Sequence, residues 1–367
     1  MKKLKKIIRY IPLWVKVIFG VFLFSVLLHF CFMASAGFAE MYINTVGHFV
    51  RTILSAITNF IPVSLAEASI IFVPFIFFVI AVMILRVIDD DRDYVRLLSG
   101  IMSIVLIIYS VFVFSFAAGF YTKGIGEYYG EERRKISVNE LHDATEMIVS
   151  ELNAAYSEIE GKGAYFTSMG MGYKELSNKL LDGFSSIEEK YGYPNKLKSR
   201  IKPVVLSEPM TYTHISGIYS FFTGEANVNV NYPDFVIPYT AAHEMSHQRG
   251  VSREDEANFV AFLVCAESDD PYIRYSGYLN MYQYMSNALY SSSHEKYMEI
   301  YEMLDIGIRR ELSSYSSFFD KYRDNVAADV SDAVNDSYLT VMSGTDSRSY
   351  GMVVDLVTVY IISDKTA

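Results

Sequence analysis

Three long apolar runs in the first third of the chain restrict its folding more than any other feature. Residues 11–33, 69–87 and 97–120 are each about as long as the roughly 20 helical residues that cross a hydrocarbon layer. Lipid offers no water to satisfy backbone polar groups, so each run is expected to be a helix. Pro74 inside the second run is compatible with a membrane helix. His29 inside the first reads as a tolerated polar side chain or a helix contact. Lys2, Lys3, Lys5, Lys6 and Arg9 precede that run, and Ala34-Ser35-Ala36 after it resembles a signal-cleavage site. Its length favours an uncleaved signal anchor.

Short-loop basic residues set the expected orientation. The basic N-terminus stays in the cytoplasm, and Arg86, Arg92 and Arg96 hold the loop between the second and third runs there too. Three spans place everything after Phe120 outside, although Lys123, Arg133, Arg134 and Lys135 pull the other way. Residues 41–65, with His48 and Arg51 in their interior, fit an interfacial or membrane-dipping helix better than a fourth span.

The chain is 51% hydrophobic and only 20% charged. That apolar excess lies before Phe120, so residues 1–120 read as the membrane region and 121–367 as a water-facing domain. The net charge of -10 argues against nucleic acid as a partner, because phosphate binding needs a basic surface. Cys31 and Cys265 are too isolated to suggest a disulfide framework and read as buried small side chains.

Within the water-facing part, Leu141, Ala144, Ile148, Leu152 and Ala155 recur at helical spacing. A second helix is expected over residues 173–189. Residues 202–206 read as a short strand. Residues 226–231 alternate with period two after the turn at Thr223-Gly224-Glu225, and read as a sheet edge that holds an extended substrate. A helix begins near Pro238, more helices fill 271–330, and 355–361 reads as a last strand. The expected class is α+β: transmembrane helices, then a mainly helical domain with a small β-sheet.

The chemistry concentrates in His243-Glu244-Met245-Ser246-His247. On a helix the two histidines stand one turn apart on one face and can approach a single tetrahedral metal. Glu244 beside them is placed to take a proton from a water activated by the metal. Gly250 ends that helix. Ser252, with Asp255 three positions on, reads as the N-cap of a second helix. A carboxylate on this second helix can complete a His2Glu zinc site. Glu254 is the first candidate and Glu256 the runner-up.

This stretch resembles the zincin peptidases. Arg253-Glu254-Asp255-Glu256-Ala257-Asn258 is similar to the R-E-x-E-A-D segment of membrane-bound HtpX-like peptidases. That resemblance implies zinc ligation by Glu254, with Asn258 standing where the family has an aspartate. The short gap from His247 is closer to the H-E-x-x-H-x-x-G turn of metzincins, but position 253 is arginine rather than their third histidine. Over nearly the whole chain, the resemblance is to the bacterial membrane family catalogued as domain of unknown function 3810. It rests on Ser216-Gly217-Ile218-Tyr219, Thr223-Gly224-Glu225-Ala226-Asn227, residues 243–250, 253–259 and Ser349-Tyr350-Gly351.

The resulting expectation is a multi-pass zinc-dependent peptidase of the cell membrane. Its partners are the lipid bilayer and a peptide or protein substrate, with Glu244 as general base. His214, Tyr212, Tyr239 and Tyr350 are candidate donors to the tetrahedral oxyanion, His214 foremost. Two alternatives stand beside it. One is a catalytically inactive membrane scaffold with the same fold, and the other an amidase acting on cell-wall peptide.

Overall fold

The computed structural model describes residues 8–87, 91–126, 134–191, 197–323, 325–343 and 352–364. Its N-terminal part contains helices α1 (Leu13–Ala34), α2 (Ala36–Tyr42), α3 (His48–Asn59), α4 (Leu65–Val87) and α5 (Asp91–Ser115). Three of these, α1, α4 and α5, are long and apolar enough to cross a membrane. The third begins earlier than hydropathy suggests and stops at Ser115, because a helix continues through charged residues at the headgroup level that an apolar window excludes. A 3-10 turn at Ala117–Phe120 follows.

Helices α1 and α5 run parallel. Trp14 lies beside Gly100, Ser25 Oγ is 3.2 Å from Ser110 Oγ, and His29 Nδ1 is 2.8 Å from the Tyr109 hydroxyl. His29 Nε2 also meets the Tyr121 hydroxyl at 3.0 Å. His29 is therefore a helix contact, which answers the question its position raised. Cys31, expected to be buried, is exposed on the span's outer face, while Cys265 is buried.

The link from α1 to α4 is neither a span nor an ordinary amphipathic helix. In α3, Arg51, Ser55 and Thr58 are buried whereas Phe49, Ile53, Ile57 and Phe60 point outward. The polar face meets protein and the apolar face meets the surroundings, the reverse of a helix in water. Arg51 donates to three carbonyls of separate segments: Ser115 O at 3.2 Å, Ile43 O at 2.9 Å and Arg249 O at 3.2 Å.

The domain that follows holds α6 (Val138–Glu158), α7 (Tyr173–Tyr191), β1 (Ile201–Pro203), α8 (Ser207–Thr211), β2 (Gly217–Ser220) and β3 (Glu225–Val228). After these come α9 (Ile237–Gln248), α10 (Glu254–Ala266), α11 (Pro271–Ser292), α12 (His294–Met303), α13 (Ile306–Phe319), α14 (Val326–Ser343) and α15 (Val353–Asp364). Ser137 and Glu140 form a capping box at the start of α6. The core gathers around α10, from which Phe259 to Cys265 are all buried, and α10 packs on α7, α9, α11 and α15.

Two strand expectations are corrected. The sheet order is β1-β3-β2, with β1 parallel and β2 antiparallel to β3. Residues 226–231 therefore do not form a substrate-holding edge: β3 is central and both its sides are paired. The edge next to the motif helix is β2. Residues 355–361 are helix, not strand, because Val353, Val357 and Ile361 bury at a spacing of four. A short β-branched run does not distinguish the two periods.

The sheet is clasped to the membrane segment through buried charge. Glu225 accepts from the amides of Leu65 at 3.2 Å and Ala66 at 3.0 Å, at the positive end of α4. Lys202 lies 3.9 Å from Glu225 and donates to Thr58 O at 2.8 Å. On the other side of the site, Arg51→Met leaves three carbonyls without that donor. It is expected to cost about 3 kcal/mol and lower the unfolding midpoint of the detergent-solubilised chain by about 5 °C. A midpoint equal to wild type in a thermal melt would show that the clasp contributes nothing.

Candidate metal centre

Pro238 sits in the first turn of α9, where its missing N–H has no intrahelical partner to lose. Five residues on, His243 and His247 project from one face with their Nε2 atoms 3.0 Å apart. The helix then closes as expected at Gly250, whose φ of +98° suits glycine. Gly250 N donates to His247 O at 2.9 Å and Val251 N to Ser246 O at 3.2 Å. This tight reversal returns α10 against α9 and delivers Glu254 to the histidines.

Glu254 Oε2 lies 3.2 Å from His243 Nε2 and 3.5 Å from His247 Nε2. Zinc bonds of about 2.0–2.1 Å in a tetrahedron separate ligand atoms by about 3.3 Å. The residues thus fit the expected ion in number, type and spacing. Side-chain exposures of 11%, 7% and 12% for His243, His247 and Glu254 leave the group mostly desolvated but not sealed. His247 Nδ1 lies 2.7 Å from Val251 O. A carbonyl only accepts, so Nδ1 carries a proton, and once the ring is neutral the Nε2 lone pair faces the cluster.

Glu256, the runner-up, has another task. Its Oε1 forms an ion pair with Arg253 at 2.7 Å and accepts from the amide of Ile125 at 3.1 Å. Burial pushes its pKa up, against the Arg253 charge. It holds the chain leaving the membrane, not the metal group. Ser252 is not the N-cap of α10 either: Arg253 occupies that position without a side-chain cap. The Ser252 hydroxyl instead donates to Phe116 O at 2.8 Å, so the membrane exit takes the group that capping would have used.

Burial pushes the Glu244 pKa up to about 7, against the pull of His243 and His247. Its carboxylate accepts the backbone N–H of Tyr219 on β2. That approach requires Gly217, because a Cβ there would stand 2.6 Å from Glu244 Oε1 and from Thr240 Cγ2. Burial opposes charge on His247, but the Glu254 carboxylate outweighs it and holds the pKa at about 9. The two imidazoles in turn keep Glu254 ionised well below the usual carboxylate range, despite its burial.

The remaining wall is aromatic and was not anticipated. Phe116, just past the third span, stands 5.8 Å from the His247 ring in an edge contact, and Tyr219 stacks on it at 6.5 Å. The family-like run Ser216 to Tyr219 marked the Tyr219 region; nothing in sequence marked Phe116.

The proposed oxyanion donors fare differently. His214 has a left-handed backbone, with φ of 57°. Its Nε2 lies 2.8 Å from Tyr322 O, so that nitrogen is the donor and a neutral ring has only an acceptor left at Nδ1. It does not join the ligand cluster of His243, His247 and Glu254. The Tyr239 hydroxyl is buried and donates to Asn258 at 3.2 Å. Tyr212 packs edge-on against Tyr322. Tyr350 lies outside the described residues.

Glu254→Ala is expected to reduce zinc affinity by about a hundredfold or more, whereas Glu256→Ala keeps its zinc. Metal analysis after dialysis tests this, and equal occupancy would defeat the assignment. A metal-free His247 that holds its proton up to about pH 9 must release it to bind zinc. Zinc affinity should therefore rise with pH between 7 and about 9, and calorimetry in buffers of different ionisation enthalpy should register proton release.

No curated protein and no solved structure matches the chain. A family model does, over residues 42–358, from the end of α2 into α15. By that match the chain belongs to the family described as Protein of unknown function (DUF3810).

Proposed function

We propose that this chain is a membrane-anchored zinc peptidase with its domain outside the cytoplasm. The observation that carries the reading is Glu244. A site that only holds structure together has no need of a buried carboxylate beside its ligands, yet this one sits beside the edge strand β2 with its pKa near neutrality. His243, His247 and Glu254 would hold the ion. When bound, zinc supplies Lewis acidity toward water and toward a carbonyl.

The chain's own residues supply the rest. A general base works best when its pKa lies near the operating pH, and burial moves Glu244 toward that range. Glu244 accepts the proton of the attacking water and delivers it to the leaving amine. The outer edge of β2 offers main-chain groups to an extended peptide. Gly217 keeps that edge close enough for the peptide to lie beside Glu244. Phe116 and Tyr219 exclude water from the His247 side.

The orientation rests on two supports. Helices α1 and α5 are parallel, so the C-terminal ends of both point to the domain side. The basic N-terminus favours the cytoplasm.

Glu244→Gln is expected to retain fold and zinc while hydrolysis of a peptide library falls by about a thousandfold. Wild type with full zinc that cleaves nothing beyond this variant would instead support the scaffold reading. Release of amino acids from cell-wall peptide, with inert protein substrates, would mark the amidase.

A further inference from the structure

The metal cluster abuts the place where the third span leaves the membrane. Phe116 follows directly on Ser115, the last residue of that span, and touches the ring of His247. The hairpin of β2 and β3 reaches further toward lipid. Phe221, just after β2, packs on Phe112 at 5.3 Å, one helical turn inside α5. Phe221 O also accepts from Ser115 Oγ at 3.3 Å.

The tip of this hairpin rests on the inverted helix α3: a Cβ on Gly224 would meet Leu54 Cβ at 2.7 Å. The outward Phe49, Ile53, Ile57 and Phe60 make α3 stable against lipid rather than water. Phe222 at the tip is 43% exposed.

Strand β2 therefore runs from the general base to the bilayer. Tyr219 faces Glu244, and Phe221, two residues on, is at span depth. At about 3.3 Å per residue, roughly 7 Å of strand separates the two. A peptide paired along β2 enters lipid within a few residues of the reacting bond. Among the described residues β2 is an edge strand whose outer side carries no further strand, which suits a main chain and not a lipid headgroup.

Resting on the peptidase reading above, we propose that the substrate is a membrane-anchored polypeptide. It is cut within about five residues of its own span, on the domain side of the bilayer. A span of that kind delivers its juxtamembrane segment at the level of the site, whereas a free peptide must leave water to reach it.

Two measurements on the full chain in phosphatidylcholine vesicles test this. The chain has one tryptophan, so Trp14→Phe with Phe222→Trp carries a single reporter at the hairpin tip. Acyl-brominated lipid is expected to quench it strongly. The second measurement presents one peptide library in three ways: next to the span of a single-span carrier, behind a flexible spacer of about 30 residues on that carrier, and free in solution. Wild type is expected to cut the span-adjacent form at least about tenfold faster than either other form.

An unquenched reporter would overturn the proposal whatever the cleavage pattern. Quenching with equal turnover of the free peptides would overturn the substrate class but leave the peptidase reading standing. Quenching with no cleavage above Glu244→Gln in any presentation would remove the peptidase reading and the proposal together.

Discussion

The burial of one guanidinium organises the contact between membrane and domain. Arg51 reaches the end of the third span, the turn after α2 and the residue that closes the motif helix. Burying a charge of this size is costly unless its donors find acceptors, and here its two terminal nitrogens reach three carbonyls that lie far apart in the chain. Those carbonyls must converge, so α3, the end of the third apolar helix and the C-terminal end of α9 are fixed to one another. Gly250 supports the same junction, since a side chain there would strike Arg51 at 2.8 Å.

This junction explains why the candidate ligands His243, His247 and Glu254 are preorganised. His247 lies just before the turn that Arg51 holds, and its ring is trapped between Val251 O, Phe116 and Tyr219. Glu256 and Ser252 tie the start of α10 to the segment leaving the membrane. Glu254, between them, is thereby aimed at the histidines. Ligands held before an ion arrives lose less conformational freedom on binding it. Glu254 and Glu256, two residues apart on α10, thus divide the work: one faces the histidines and the other anchors the chain.

Much of the site is legible in the sequence because its chemistry is local. His243, Glu244 and His247 are related by one helical turn, and Glu254 follows after a turn whose glycine is visible. The apolar spans are equally plain, since bilayer thickness imposes their length. What is hidden is nonlocal. Arg51 and Arg249 are 198 residues apart, and Phe116 meets His247 with no periodicity to announce it. The central place of β3 depends on pairing order, which alternation alone does not encode. The polar face of α3 is read correctly as unusual only once the direction of its burial is known. Ser252 shows the same limit, because its capping role was displaced by a carbonyl from the membrane exit.

The central claim is that His243, His247 and Glu254 form a zinc centre, and metal analysis of the detergent-purified chain beside His243→Ala tests it most directly. The account predicts about one zinc per chain in wild type, lost in the variant while the fold is retained. Folded wild-type protein that takes up no zinc even after reconstitution would contradict it.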